Sequence, residues 1–308
     1  MELLVDDLLN EHLVYEKEVI HLITILYGIL APEKSIEHHL KIAKSLELMK
    51  SSTLIMDDFL DKSSLRNGMP SLFSKFGGEE AALIAEILKS TASIAFSTEL
   101  IRLKNLKKAE IVRCLLLFED TYRTVCMGQL DDLRAVKRFR NGDDVTENDY
   151  YEMIKKTTAV FIQLPLLLGA VVNHFNRKLE NSLRRYGMYI GLAYQIKDDM
   201  IDLIGDPSST GKPLGGDIIE RKVRLPIIHA LLCGSSEQIS KIRYVYEKKH
   251  VTRKDLAMII ELLTKIGSLN HCDKKVRHYC LRALSSIKSL PVNLRRPLED
   301  VAALLIPT

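Results

Sequence analysis

The chain has 308 residues, of which 46% are hydrophobic and 27% charged, the balance of an ordinary globular protein with one large domain or two smaller ones. Its 44 basic and 40 acidic residues leave a formal net charge of +4, so it lacks the one-signed field expected of a nucleic-acid binder. Five cysteines, an odd number at irregular spacing, exclude a disulfide framework.

The N-terminal MELLVDDLLNEH is acidic where a signal peptide would be basic. Apolar runs such as Val160–Val172 fall short of the ~20 residues that a membrane span needs. These features predict a cytoplasmic protein with no membrane span and no nucleic-acid partner. Further along, a long amphipathic stretch carries Leu40, Ala43, Leu46, Leu48, Leu54 and Ile55 into an acidic run at 57–61. Leu115 to Leu130, Met153 to Val172 and Tyr186 to Ile204 show the same helical period. Lys137-Arg138-Phe139-Arg140 reads as a solvated basic loop. Thr146 with Asp149, and Thr252 with Asp255, have the spacing of N-terminal helix caps. Pro32, Gly77-Gly78, Asn141-Gly142, Asp206-Pro207 and Gly215-Gly216 break the pattern into roughly ten helices. His271-Cys272 and His278-x-Cys280 match no standard zinc spacing and read as helix-surface residues. No linker divides the chain, and alternating strands are missing. The expectation is a single all-α domain over residues 1–308.

Two runs carry the chemistry: DDFLD at 57–61 and DDMID at 198–202. On a helix, Asp57, Asp58 and Asp61 crowd one face, as do Asp198, Asp199 and Asp202. Three carboxylates on an apolar helix repel one another unless cations neutralise them. Hard oxygen donors of this kind suit magnesium, which is held by a few carboxylates together with the phosphate oxygens of a substrate. A lone acidic run is often just an exposed turn, as loose pairs such as Asp6-Asp7 and Asp131-Asp132 illustrate. Two full copies inside amphipathic helices point to a site.

The flanking residues make the pattern specific. DDFLDKSSLRNGMPSLFSKFG resembles the first aspartate-rich motif of trans-isoprenyl diphosphate synthases. GLAYQIKDDMIDLIGD and the following GKPLGGDIIERKVRLP resemble the second motif and the lysine-bearing loop after it. MGQLDDL at 127–133 and KTT at 156–158 match the family's Gly-Gln and Lys-Thr signatures in order. The resemblance covers residues 45–230. It implies a helical bundle around a central apolar cavity, with the two motifs facing each other across its mouth. It also implies about three magnesium ions on the six aspartates, with Asp57 and Asp61 on one wall, Asp198 opposite and Asp202 acting through water. Arg66, Lys156 and Lys212 then contact the diphosphate, and Lys222 lies near it. Thr157 and Gln195 line the reacting end of the chain. Ser52 and Thr53, both small, leave a deep pocket, and neither Met49 nor the stretch Ser90, Ala92 and Ser93 adds an aromatic plug. The resemblance further implies a homodimer.

One part of the pattern departs from the family. The site for isopentenyl diphosphate is built there from arginines before the first motif, a His or Gln nearby, and the second Arg of an Arg-Arg-Gly run. The corresponding positions here hold Lys17, Glu18 and Ile20, then Lys50, then Asn67. Losing two guanidinium contacts removes several kcal/mol of diphosphate binding, at about 1.5–3 kcal/mol for each charge-assisted bond. The expectation is therefore an enzyme of the terpene synthase type. It ionises an allylic prenyl diphosphate of about fifteen to twenty carbons, and the cation then cyclises or loses a proton. The alternatives are a chain-elongating prenyltransferase, with Lys17, Lys50, Arg295 or Arg296 rebuilding the acceptor site, prenyl transfer to another acceptor, and a non-catalytic subunit of a heteromeric synthase.

Overall fold

The computed structural model describes residues 26–31, 36–66, 68–205 and 214–306. Thirteen α-helices occur between residues 36 and 305, more than the breakers alone suggest. Residues 26–30 are helical. The long helix α1 (Ile36–Asp61) ends on the first acidic run. A two-residue ribbon, β1 (Leu65–Arg66) against β2 (Met69–Pro70), turns the chain back before α2 (Leu72–Phe76). Next come α3 (Gly78–Arg102), α4 (Lys108–Arg140) and α5 (Glu147–Ile154). A single π turn at Lys155–Ala159 joins α5 to α6 (Val160–Val172), and α7 (Arg177–Ile204) carries the second acidic run. The remainder is α8 (Gly216–Ile219), α9 (Leu225–Cys233), α10 (Ser236–Glu247), α11 (Arg253–Ile266), α12 (Ser268–Ser286) and α13 (Val292–Leu305).

The caps read from sequence are formed. Thr146 Oγ1 accepts from the Asp149 N–H at 3.1 Å, and the Asp149 carboxylate accepts from the Thr146 N–H at 3.0 Å. Thr252 and Asp255 repeat the exchange at 3.2 and 2.9 Å. Lys137–Arg140 corrects an expectation. It is the last turn of α4, where cations face the negative end of the helix dipole, and Phe139 is buried among them. Cys272 and Cys280 lie in the core, while His271 turns away to bond Glu147 at 2.9 Å.

Nearly every residue of α6 is buried, as a helix apolar on all sides should be. One core cluster joins α6 to α1, α3 and α4, and a second joins α7 to α9–α12. A third closes residues 26–30 and α13 over α6, α7 and α12. Gly78–Arg102 and Glu147–Val172 are each long and apolar enough to cross a membrane. The second continues through the π turn and so exceeds the apolar run visible in the sequence, but 78% of its apolar eighteen-residue stretch lies inside the fold.

Candidate diphosphate and metal site

Lys50, Leu54, Asp57 and Asp61 are spaced four, three and four residues apart and therefore share one stripe of α1. The β1–β2 ribbon folds Arg66 back over the end of that helix. Arg66 Nε donates to Asp58 Oδ1 at 3.0 Å, Nη2 donates to the same oxygen, and Nη2 reaches Asp57 Oδ2 at 3.5 Å. Gln129 of α4 donates to the other Asp57 oxygen. Lys222 Nζ bonds Asp61 and lies 3.0 Å from Glu220, which in turn accepts from Ser63 Oγ at 3.1 Å. Burial works against the charge on Asp57, but Lys222, Arg66 and the Gln129 bond outweigh it and hold this carboxyl well below its usual range. Asp61 goes the other way. Burial and then the Asp57 charge push it up to about 7 despite Lys222.

The second run sits on the last turns of α7. Gln195 Nε2 donates to Asp198 at 3.2 Å and to Asp199 at 2.8 Å, and its carbonyl oxygen accepts from Thr158 of the π turn. Tyr150 of α5 donates to Asp199 at 2.6 Å. Burial pushes the Asp199 carboxyl well above its usual range. Asp202 accepts from the N–H groups of Gly216 and Asp217, both at 3.1 Å, and so caps α8.

Helix α4 ties these parts together. Beside Gln129, Asp131 pairs with Lys156 at 2.7 Å and Asp132 takes a two-pronged bond from Arg224 at 2.7 and 3.1 Å. Gly128 is what lets α4 approach: a Cβ there would lie 2.7 Å from Thr157 Cγ2 and 2.8 Å from Lys156 Cβ. On the opposite side of the π turn, a Cβ on Gly191 would fall 2.4 Å from the backbone of Ala159. The π turn that carries Lys156 and Thr157 is thus clasped between α4 and α7 at two glycines. Beyond α8, Arg221 adopts φ +68° and the N–H groups of Arg221 and Lys222 bond the carbonyls of Ile218 and Asp217. This is a Schellman ending with arginine in the left-handed position glycine normally takes, at a cost of about 1–2 kcal/mol.

A family model described as polyprenyl synthetase matches residues 17–263. The chain belongs to the polyprenyl synthetase family. It is 31% identical over 256 residues to the short chain isoprenyl diphosphate synthase of Methanocaldococcus jannaschii, covering 82% of this chain and 75% of that protein. The geranylgeranyl diphosphate synthase of Saccharolobus solfataricus is 29% identical over 257 residues, 83% of this chain and 75% of the relative. The fold is similar to that of a polyprenyl synthase from Caulobacter crescentus CB15 complexed with calcium and isoprenyl diphosphate. The TM-score there is 0.85 at 22% identity, over 99% of this chain and 90% of the other. Like its relatives, this member of the family is an all-α enzyme of isoprenoid synthesis.

Asp57, Asp61, Arg66, Lys222, Gln129 and Lys156 are linked through α1, α4 and the segment before α9. Of the six aspartates expected to hold metal, Asp58 and Asp199 are buried. Asp58 is committed to Arg66, and Asp199 to Tyr150 and Gln195. Among the described residues, no three His, Cys, Asp or Glu side chains form a metal-holding group by themselves. Ser52 and Thr53 are buried and donate back to the carbonyls of Met49 and Lys50, each at 2.7 Å. Lys17, Glu18, Ile20, Asn67 and Lys212 lie outside the described residues. The sequence reading missed Asp131, Asp132, Arg224, Glu220 and Tyr150. Asp131 and Asp132 read from sequence as a loose acid pair, yet each holds one cation.

Proposed function

We propose that the chain is a chain-elongating prenyl diphosphate synthase, which joins isopentenyl diphosphate to an allylic prenyl diphosphate with a divalent metal, magnesium. This replaces the ionisation-only reading drawn from Glu18, Ile20 and Asn67, because the relatives named above are themselves diphosphate synthases. The observation that carries the proposal is the grouping of Asp57 and Asp61 with Arg66, Lys222 and Gln129. Hard carboxylate oxygens set among fixed cations are the donor set a metal-bound diphosphate needs. Asp57, Asp61 and Asp198 are the proposed ligands for about three ions, with Asp202 acting through water and Asp58 and Asp199 holding the walls in place. Bound magnesium supplies charge stabilisation for the departing diphosphate.

Arg66, Lys156 and Lys222 bind that leaving group, and Lys212 joins them in this proposal. The allylic C–O bond breaks with its electron pair going to the diphosphate. The isopentenyl double bond then attacks the allylic carbon, and a proton passes to the released diphosphate to restore a double bond in the product. Thr157 and Gln195 flank the reacting end, and the apolar core beneath α1 shelters the cation from water. Lys50 supplies charge for the acceptor diphosphate. It lies on the same stripe as Asp57, with its ammonium 4.9 Å from the centre of the Phe161 ring. A second copy of the chain covers the apolar face of α3, where Leu83, Ile87, Ile94 and Ile101 are exposed.

The ionisation-only reading keeps one specific observation in its favour, Asn67 in place of the second arginine. Incubation with farnesyl diphosphate and magnesium, with and without isopentenyl diphosphate, separates the two. Elongation predicts longer prenyl diphosphates that incorporate labelled isopentenyl units, and Lys50→Met should raise the KM for that substrate about tenfold or more, for one charge-assisted contact. Hydrocarbon released at the same rate without isopentenyl diphosphate would overturn the proposal.

A further inference from the structure

Lys222 is presented by a segment with little regular structure of its own. Residues 222–224 are neither helix nor strand, and they follow directly on the strained Arg221. Side chains hold them instead, at three points. The Arg221 guanidinium donates to the carbonyls of Ile218 and Lys248. Tyr246 Oη donates to the Lys222 carbonyl at 2.9 Å. Arg224 grips both oxygens of Asp132, and its Nε lies 3.5 Å from Asp217 Oδ1.

The first two contacts lie within the C-terminal half of the fold. Only the third hydrogen-bonds across to α4, where the Tyr246 ring merely packs edge-on against Phe139 at 5.2 Å; α4 also places Gln129 against Asp57 and Asp131 against Lys156. A planar, two-pronged bond fixes distance and orientation together, which a lysine's point charge does not. The Arg224 and Asp132 side chains are only 12% and 11% exposed, so water does little to loosen the grip.

We propose that Arg224 is the positioning residue for Lys222: its bidentate bond to Asp132 locks the Lys222 segment to α4 and so sets where the Lys222 ammonium meets the diphosphate. The inference rests on the function proposed above and is tested by binding as well as turnover. Removing one partner alone strands a buried charge, so the informative variant is the double replacement Asp132→Leu with Arg224→Met, which removes the two-pronged pair, keeps the packing and leaves only Asp217, 3.5 Å from the Arg224 Nε, short of a cation. Arg224→Lys, which keeps the charge and loses the fork, is the second variant.

Three quantities are measured on full-length protein: melting temperature, calorimetric binding of inorganic diphosphate with magnesium, and kcat and KM for elongation. The double variant should stay folded, bind magnesium and diphosphate more weakly, and lose about 100-fold in kcat/KM, the cost of a small misplacement at a reacting centre. Arg224→Lys should fall between it and wild type. Combining the double variant with Lys222→Met should cost no more than Lys222→Met alone, because both act through the same ammonium. Losses that simply add would overturn the proposal, as would wild-type binding and turnover in the double variant. If the double variant does not fold, an Arg224→Lys protein with unchanged kcat, KM and diphosphate binding is the overturning result. Wild-type protein that binds magnesium and diphosphate but elongates nothing refutes the assigned reaction instead, and the clamp is then read from binding alone.

Discussion

Replacing Lys222 with Met tests the electrostatics of the site in a form that depends on pH. The lysine bonds Asp61 and pairs with Glu220 at 3.0 Å, and the Lys222 and Asp61 side chains are only 9% and 12% exposed. Breaking a buried pair by removing one partner costs about 3–5 kcal/mol, because the remaining charge is stranded. Here the stranded group has a way out, since Asp61 already titrates at about 7 and rises further once its cation is gone. At pH 6 it takes up a proton and the loss should shrink to about 1 kcal/mol, whereas at pH 8 about 3 kcal/mol should remain. At roughly 2 °C per kcal/mol for a chain of this size, that is a drop of about 6 °C at pH 8 and about 2 °C at pH 6, measured by thermal melting in EDTA. The wild-type background has its own slope. A carboxyl raised from 3.8 to about 7 keeps its proton in the folded chain after the unfolded chain has lost it, so its contribution falls as pH rises from about 4 to 7. Asp199, also raised by burial, acts in the same direction. Equal drops in melting temperature at both pH values, or none at pH 8, would refute the role given to Lys222.

Asp57→Ala or Asp198→Ala should abolish diphosphate release in a coupled phosphate assay while leaving far-ultraviolet circular dichroism unchanged, because each removes a proposed metal ligand. Retention of near wild-type rates would remove that carboxylate from the chemistry. Ser52→Phe should shorten the product, read by chromatography of the dephosphorylated chains, and cost about 1–3 kcal/mol in stability because Ser52 is already buried. An unchanged product profile would place Ser52 away from the prenyl chain. Gly191→Ala sets a Cβ 2.4 Å from the Ala159 backbone, where nothing soft can yield, and should cost about 1–3 kcal/mol by overpacking while displacing the π turn and lowering kcat. A melting temperature and rate equal to wild type would show that α7 can move away without consequence.

The aspartate runs were legible because the helical period is local: spacings of three and four put carboxylates on one face whatever the tertiary fold. Which of the three turns outward was not legible, since that depends on distant partners. Asp58 faces inward because a short two-stranded ribbon folds Arg66 onto it. Asp199 faces inward because Tyr150, on another helix, donates to it. The pair Asp131-Asp132 read as loose acid because its cations, Lys156 and Arg224, stand far along the chain, and no period links them. The π turn has no residue signature either. Its trace in the sequence is indirect: Gly128 and Gly191, on the two helices that must come close to it.

These partners also account for how so many carboxylates are held together in one enclosed setting. Carboxylates crowded in an apolar setting need cations, and the described part of the chain supplies them one at a time: Arg66 to Asp58, Lys222 to Asp61, Lys156 to Asp131 and Arg224 to Asp132. Three of the four, Arg66, Lys156 and Lys222, are the groups assigned to the diphosphate. Arg224 is left over, enclosed with Asp132 and the one with no phosphate role to take up. A cation that stays with its carboxylate throughout can serve as a fixed point, and that separates its proposed task from that of Lys222, two residues before it.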